Sequence, residues 1–167
     1  MAEPIQKPGR SKQDYATPEA FIKAVERRFG KLTIDLAASP ENTQCGTYIT
    51  EEQDSLSVDW TMLTGLGWLN PPFGDIAPWA AKCAASASPA FRIIMLTPAS
   101  VGSNWFAEHV HRKAIVLGIS PRLSFDVKNA YPKDLMVTLW GFGAAGFDVW
   151  RWDEAKGVAG AVPAAAE

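Results

Sequence analysis

Short apolar runs alternate with stretches of helical periodicity along most of this chain. Phe21, Val25 and Phe29 recur at helical spacing and predict a helix that ends at Phe29. Thr17 is expected to be the N-cap of this helix, and Pro18 suits its first turn. Two further helices are predicted over residues 79–87 and 104–110, and strands over residues 32–36, 46–50, 66–69, 91–96, 114–119 and 135–140. This alternation indicates an α/β fold with a doubly wound, mainly parallel sheet.

The composition is typical of one soluble globular domain. The chain has 167 residues, of which 47% are hydrophobic and 20% are charged. We expect residues 14–154 to form this domain, between flexible tails at residues 1–13 and 155–167. No apolar run approaches the ~18 residues of a membrane span, and the N-terminus lacks a signal-peptide core. A reducing cytoplasm is therefore the expected location.

The cysteines and histidines suggest neither a metal site nor a redox site. Cys45 and Cys83 form no Cys-x-x-Cys pair and have no histidine nearby, so neither a disulfide framework nor a zinc site is predicted. His109 and His111 would point to different faces of a helix, and we interpret them as surface residues.

Polar side chains follow several of the predicted strands. Asp35 lies at the end of the first strand, Glu51 and Glu52 follow the second, and Asn70 follows the next one. Ligands bind beyond the carboxyl ends of the strands in doubly wound sheets. We therefore expect these side chains to border a ligand site.

The tetrapeptide Asn70-Pro71-Pro72-Phe73 is the most informative motif in the chain. Asn70 offers a side-chain carbonyl, and the two prolines stiffen the backbone and remove two N–H donors. Phe73 adds a ring face on which a flat group can stack. The motif predicts a pocket for an exocyclic amino group on a planar ring, such as adenine. The alternative is a strand that ends in a proline-rich turn, with Phe73 in the core.

The charge distribution neither requires nor excludes a nucleic-acid partner. The net charge is −2, whereas domains that bind nucleic acid are usually basic. Local basic patches matter more than the total charge. The segment from Ser120 to Asp134 is the candidate for contact with DNA, and the alternative is an ordinary solvated loop. Its phosphate-binding and base-reading side chains would be those of Arg122, Lys128, Asn129 and Lys133.

A set of short motifs in a fixed order carries a family resemblance. Its members, in chain order, are Asp14-Tyr15-Ala16-Thr17-Pro18, Ile34-Asp35-Leu36-Ala37-Ala38, Asn42, Tyr48, Asp54-Ser55-Leu56, Asp59-Trp60, Asn70-Pro71-Pro72-Phe73-Gly74, Trp79, Leu96-Thr97-Pro98-Ala99, Asn104-Trp105-Phe106 and Arg122-Leu123-Ser124-Phe125. The set resembles the phage and prophage DNA N-6-adenine methyltransferases (the Dam-like phage family) over roughly residues 14–140. Asn-Pro-Pro-Phe alone is weakly specific, because other amino-group methyltransferases share it.

The resemblance implies a Rossmann-like, S-adenosylmethionine-dependent methyltransferase domain. Its sheet would have about seven strands, with the last one antiparallel, and helices on both faces. Thr17 and Pro18 would line the methionine end of the cofactor, and Asp35 would accept hydrogen bonds from its ammonium group. The sequence has Ala37-Ala38-Ser39 where many such enzymes have a Gly-rich loop.

The remaining cofactor contacts are also implied by the resemblance. Either Glu51 or Glu52 would hold the ribose hydroxyls, and either Asp59 or Asp54 would face the adenine amino group of the cofactor. The other members of the implied set are Tyr15, Ala37, Trp60 and Asn70.

The implied reaction is direct methyl transfer to the amino group of a flipped adenine in double-stranded DNA. The side-chain carbonyl of Asn70 and the backbone carbonyl of Pro71 would accept the two amino hydrogens, and Phe73 would stack on the base. S-adenosylhomocysteine would be the product, and no metal would take part. A monomer or weak homodimer in the bacterial host cytoplasm is expected. The alternatives are methylation of an amino group of RNA or of a protein glutamine, and a non-catalytic binding module of the same fold.

Overall fold

A sheet with helices on both faces forms the centre of the computed structural model, which describes residues 16–125 and 130–154. The helices of this part of the chain are α1 (Glu19–Phe29), α2 (Ala77–Ser86) and α3 (Asn104–His109). Its strands are β1 (Ile34–Asp35), β2 (Gly65–Leu69), β3 (Phe91–Pro98), β4 (Ile115–Ser120), β5 (Leu135–Trp140) and β6 (Gly146–Arg151). The tails predicted for residues 1–13 and 155–167 lie outside the described residues.

The strand order is β1-β2-β3-β5-β4-β6. Strands β1, β2 and β3 pair in parallel, β5 is antiparallel to both of its neighbours, and β6 is parallel to β4. The prediction of a doubly wound, mostly parallel α/β sheet with one antiparallel strand is thereby confirmed. The described residues contain six strands, where about seven were expected. The antiparallel strand is β5 and not the last strand, because β6 follows it.

The strand predicted over residues 46–50 is wrong, because this segment forms only an isolated parallel bridge between Tyr48 and Asp35. Asp35 N donates to Thr47 O at 2.9 Å, and Ile49 N donates to Asp35 O at 2.9 Å. Ala38 N donates to Ile49 O at 3.0 Å, so the two segments stay side by side beyond β1 without forming a regular ladder.

Strand β6 was not predicted from the sequence. Among its six residues only Trp150 is buried, whereas Phe147 and Val149, which alternate with Asp148, are exposed. The run before it, residues 141–146, has the spacing Gly-x-Gly-x-x-Gly. This run joins β5 to β6 and therefore connects two strands, whereas a dinucleotide-binding loop connects a strand to a helix.

The start of α1 also differs from the prediction. Pro18 occupies the N-cap position, and no side chain caps this end of the helix. Thr17 does not cap it, because the residue is buried and its side chain contacts Asn70 instead. None of the described helices could cross a membrane, since the longest, α1, has 11 residues and a span needs about 20.

Two apolar cores cover the two faces of the sheet. Helix α1 packs on one face, where Phe21 makes an edge-on contact with Trp68 at a centroid separation of 6.3 Å. Helix α2 packs on the other face through Ala80 and Cys83. Successive residues of β3 enter alternate cores, as expected for a strand that is buried on both faces.

The carboxyl ends of β1 and β2 meet at one edge of the sheet. Asp35 is in register with Trp68, two residues before Asn70. Leu36 N donates to Trp68 O at 2.8 Å and continues the pairing beyond β1. The predicted side chains Asp35 and Asn70 are thus brought to the same edge.

Candidate active site

A cleft of about 570 Å³ opens at the carboxyl ends of β1 and β2. Its volume lies within the usual range of small-molecule sites. The lining residues come from the segment before α1, the loop after β1, residues 49–55, the end of β2 and the first turn of α2. They are Ala16, Thr17, Asp35, Ala37, Ala38, Ser39, Asn42, Gln44, Ile49, Thr50, Glu51, Glu52, Ser55, Trp68, Asn70, Pro72 and Trp79.

Asp35 is the buried carboxyl group of this cleft, with 3% of the residue exposed. Its Oδ1 accepts a hydrogen bond from Ala37 N at 3.3 Å, and its Oδ2 accepts one from Gln44 N at 3.0 Å. Burial raises its pKa from 3.8 to about 6, although the two backbone donors act in the opposite direction. A buried carboxyl with a raised pKa is well suited to a cationic group, because a positive charge beside it offsets the lost hydration.

Asn70 lies at the end of β2 and lines the same cleft. Its Nδ2 donates to Thr17 Oγ1 at 3.4 Å, so the amide nitrogen is directed at the segment that precedes α1. The Thr17 side chain, which is 53 residues away in sequence, therefore helps to orient the amide. Thr17 is buried, and this contact explains why it is not an N-cap.

The two prolines of the motif occupy different environments. Pro71 is buried, whereas Pro72 is exposed and forms part of the cleft wall. The Pro72 carbonyl accepts a hydrogen bond from Asp75 N at 3.4 Å, which closes the turn that leads toward α2.

Phe73 lies in an aromatic group and is not one of the residues that line the cleft. It is half-buried and packs against the core on the α1 side. Its ring meets Tyr131 edge-on at 5.9 Å, and Tyr131 meets Phe125 edge-on at 5.6 Å. Tyr131 and Phe125 belong to the connection between β4 and β5. This connection thus contacts the Asn-Pro-Pro-Phe motif directly.

The candidate acids for ribose, Glu51 and Glu52, are both exposed and both line the cleft. The role expected for one of them, contact with the ribose hydroxyls, stays a prediction. The geometry does not distinguish one from the other.

The candidate acids for the cofactor adenine, Asp54 and Asp59, do not line the cleft. Asp54 Oδ2 accepts a hydrogen bond from Ser57 Oγ at 2.5 Å. Asp59 Oδ1 accepts from Thr61 N at 2.9 Å and from Thr61 Oγ1 at 2.7 Å, and these bonds lower its pKa. Each carboxylate thus closes its own turn at the surface, which is why neither reaches the cleft.

Two other expected cofactor residues are also absent from the cleft lining. Trp60 is fully buried in the core on the α2 side, where its ring lies 6.5 Å from that of Trp79. Pro18 occupies the N-cap of α1 and is not a lining residue. Tyr15 lies outside the described residues.

Several lining residues were not among the site residues predicted from the sequence. Ser39, Asn42 and Gln44 form a polar loop after β1, in which Ser39 N donates to Asn42 Oδ1 at 2.7 Å and Gln44 Nε2 donates to Asn42 O at 3.0 Å. In the sequence, these three residues were indicated by their position shortly after the end of the first strand. Ser55 and Trp68 also line the cleft.

The candidate DNA-binding residues are only partly described. Arg122 Nε donates to Asp134 Oδ1 at 2.9 Å, which pairs the two ends of the connection between β4 and β5. Lys133 is exposed. Lys128 and Asn129 lie outside the described residues. Within residues 16–125 and 130–154, no three His, Cys, Asp or Glu side chains are grouped as a metal site would require.

Comparison with known proteins gives consistent matches. Residues 6–136 match the family described as DNA N-6-adenine-methyltransferase (Dam). The chain is 31% identical over 113 residues to a DNA N-6-adenine-methyltransferase of Escherichia phage T1, covering 68% of this chain and 47% of that protein. It is 29% identical over 114 residues to a DNA N-6-adenine-methyltransferase of Haemophilus phage HP1 (strain HP1c1), covering 66% of this chain and 65% of that protein. The chain thus spans about half the length of the first relative and about two thirds of the second.

Proposed function

Because the chain belongs to the DNA N-6-adenine-methyltransferase (Dam) family, we propose that it methylates the exocyclic amino group of adenine at specific sites in double-stranded DNA, with S-adenosylmethionine as the donor. The observation that carries the proposal is the position of Asn70 on a cleft that also contains the buried carboxyl of Asp35. The Asn70 amide is suited to an amino group, and the Asp35 carboxylate is suited to a cation.

The chemistry of the cleft fits the proposed cofactor. S-adenosylmethionine carries an ammonium group, ribose hydroxyls and an adenine, and when bound it supplies an electrophilic methyl group on a sulfonium. Asp35 would accept hydrogen bonds from the ammonium group, which would offset the burial of its carboxylate. Glu51 or Glu52 would accept hydrogen bonds from the ribose hydroxyls. Thr17 lines the part of the cleft next to Asn70.

Asn70 and Pro71 would act on the amino group of the target adenine. That nitrogen is a poor nucleophile because its lone pair is delocalised into the ring. The Asn70 side-chain carbonyl and the Pro71 backbone carbonyl would accept its two hydrogens and direct the lone pair at the methyl group. These hydrogen bonds strengthen as positive charge develops on nitrogen, so they favour the transition state over the ground state. The buried position of Pro71 and the Thr17 contact hold both acceptors in place before substrate arrives.

The target base would have to leave the double helix, at a cost of a few kcal/mol. Stacking of the base on Phe73 would offset about 1–3 kcal/mol of this cost. The edge-on contact of Tyr131 with Phe73 would hold the ring in position for that role.

The cysteines support amino-group chemistry over methylation of a cytosine ring carbon, which needs a cysteine thiolate. Burial, together with the negative charges of Asp35 and Glu26, raises the pKa of the Cys45 thiol to about 12. Burial also raises the pKa of Cys83, which is fully enclosed in the core beside α2. Neither thiol is therefore ionised near neutral pH.

The test is transfer of radiolabelled methyl groups from S-adenosylmethionine to duplex DNA, to RNA and to host proteins in parallel. Label is expected in duplex DNA, as N6-methyladenine at a recurring sequence, and Asn70→Ala should abolish it. Label that appears only in RNA or protein would replace the proposed substrate with one of those polymers. Binding of the cofactor without transfer to any substrate would indicate a non-catalytic module.

A further inference from the structure

Ser55 is a buried polar residue that the proposed reaction does not yet use. The residue is 4% exposed. Its hydroxyl oxygen is inaccessible to solvent and has no hydrogen-bond partner among the described residues. Burying a hydroxyl group without a partner destabilises a protein, so such a group needs an explanation.

The turn that contains Ser55 does not need its side chain. Asp54 has a positive φ of 49°, and the turn is closed by Ser57 N, which donates to Asp54 O at 2.8 Å. Ser57 Oγ donates to the Asp54 carboxylate, and Val58 N donates to the Ser55 carbonyl at 3.3 Å. The backbone and the side chains of Asp54 and Ser57 thus complete the turn, and the Ser55 hydroxyl has no local function.

Ser55 is one of the residues that line the cleft. Rotation about its Cα–Cβ bond can turn the hydroxyl toward a ligand in the cleft, which would then become its partner. Ser55 shares its segment with Glu51 and Glu52, and the apolar side chains of Ile49 and Trp79 line the same cleft. This combination suits a flat, neutral and hydrogen-bonding group. The cationic amino-acid end of the proposed cofactor is accounted for by Asp35, on a different segment, which leaves the nucleoside end for residues 49–55.

We propose that the Ser55 hydroxyl forms a hydrogen bond with the adenosine part of S-adenosylmethionine and thereby gains a partner that the described residues do not supply. The inference rests on the proposed function, because it presupposes this cofactor. It assigns to Ser55 the position at the nucleoside end that Asp54 and Asp59 were expected to hold, since both of those carboxylates are engaged in surface turns.

The proposal predicts opposite effects of Ser55→Ala on the free and the bound protein. The unliganded variant should melt at the wild-type temperature or above it, because an unpaired buried hydroxyl is removed. Its affinity for S-adenosylhomocysteine and for 5′-methylthioadenosine should fall by the same factor, roughly three- to tenfold, the value of a neutral hydrogen bond. Calorimetric titration and thermal melting measure the two effects.

Two variants serve as matched controls. Thr97 also has a buried hydroxyl without a partner among the described residues, but it does not line the cleft. Thr97→Val should therefore match Ser55→Ala in melting temperature and keep wild-type affinity for both probes. Asp35→Asn should weaken binding of S-adenosylhomocysteine and leave binding of 5′-methylthioadenosine unchanged, because only the first probe has an ammonium group.

Three outcomes would overturn the proposal. Wild-type affinity of Ser55→Ala for both probes would show that the hydroxyl meets no ligand. A lower melting temperature of the unliganded variant, with affinity lost in proportion, would assign Ser55 a structural role. Failure of the wild-type protein to bind either probe would reject the cofactor itself, and with it the proposed function. Ser55→Cys, which replaces the hydroxyl with a weak donor, should repeat the affinity loss.

Discussion

The pH dependence of cofactor binding tests the role of Asp35 most directly. Burial raises the pKa of this carboxyl from 3.8 to about 6. One pKa unit corresponds to 1.36 kcal/mol, so a shift of about two units destabilises the unliganded protein by about 3 kcal/mol once Asp35 is ionised. Because the folded-state pKa is raised, this stability is fully present below about pH 4 and is lost as the pH rises through about 6.

A bound ammonium group reverses the effect, because it favours the ionised carboxylate. Affinity for S-adenosylhomocysteine should therefore rise about tenfold per pH unit up to about pH 6 and then become constant. Asp35→Asn should abolish this slope. At pH 7 it should weaken binding by roughly 1.5–3 kcal/mol, the value of a hydrogen bond to a charged group.

The assay is calorimetric titration of S-adenosylhomocysteine at several pH values from 5 to 8. Unfolding by urea, without ligand, should show that the wild type loses stability between pH 4 and pH 7 relative to Asp35→Asn. Asp59→Asn is the matched control, because Asp59 is an exposed carboxylate outside the cleft and should leave the binding slope unchanged. A wild-type affinity that is constant from pH 5 to 8 would refute the pairing of Asp35 with a cation.

Three further predictions concern catalysis and DNA binding. Asn70→Ala should lower methyl transfer by at least ~10²–10³-fold, by analogy with loss of an oxyanion-hole donor, while cofactor affinity stays within a few-fold; retention of more than half the activity would contradict the assignment. Phe73→Tyr should remain active and Phe73→Ala should lose mainly substrate affinity in steady-state kinetics, because stacking needs only a ring face; equal damage from both would indicate a core role. Lys128→Ala combined with Lys133→Ala should weaken DNA binding at all sequences and lower the salt slope by up to ~2 in filter binding; an unchanged slope would remove these lysines from the interface.

The elements predicted correctly from the sequence are those whose burial leaves a pattern. Continuous apolar runs identified β3 and β5, which are buried on both faces, and helical spacing identified α1. Strand β6 was not predicted, and only Trp150 in it is buried. Residues 46–50 contain β-branched and aromatic side chains, as strands do, but they form one isolated bridge with β1 and no regular ladder.

The site was predictable where strand direction decides position. Asp35 and Asn70 follow parallel strands and were expected at one edge, where both are found. Asp59 and Trp60 were expected to contact the cofactor, but neither lines the cleft. Hydrogen bonds within one turn hold Asp59 at the surface, and Trp60 is enclosed in the core. No sequence pattern reveals a buried hydroxyl without a partner. The role proposed for Ser55 could therefore be inferred only from the structure.

The antiparallel direction of β5 has a consequence for how the connection between β4 and β5 can vary. Strand β4 runs parallel to β3 and ends at Ser120, so the connection to β5 begins at the same edge of the sheet as Asp35 and Asn70. A parallel fifth strand would have required a crossover, with its entry at the opposite edge. The connection can therefore diverge in length and composition without altering strand register. Under the proposed function, the reaction chemistry and the choice of DNA sequence would then be able to evolve separately within one fold.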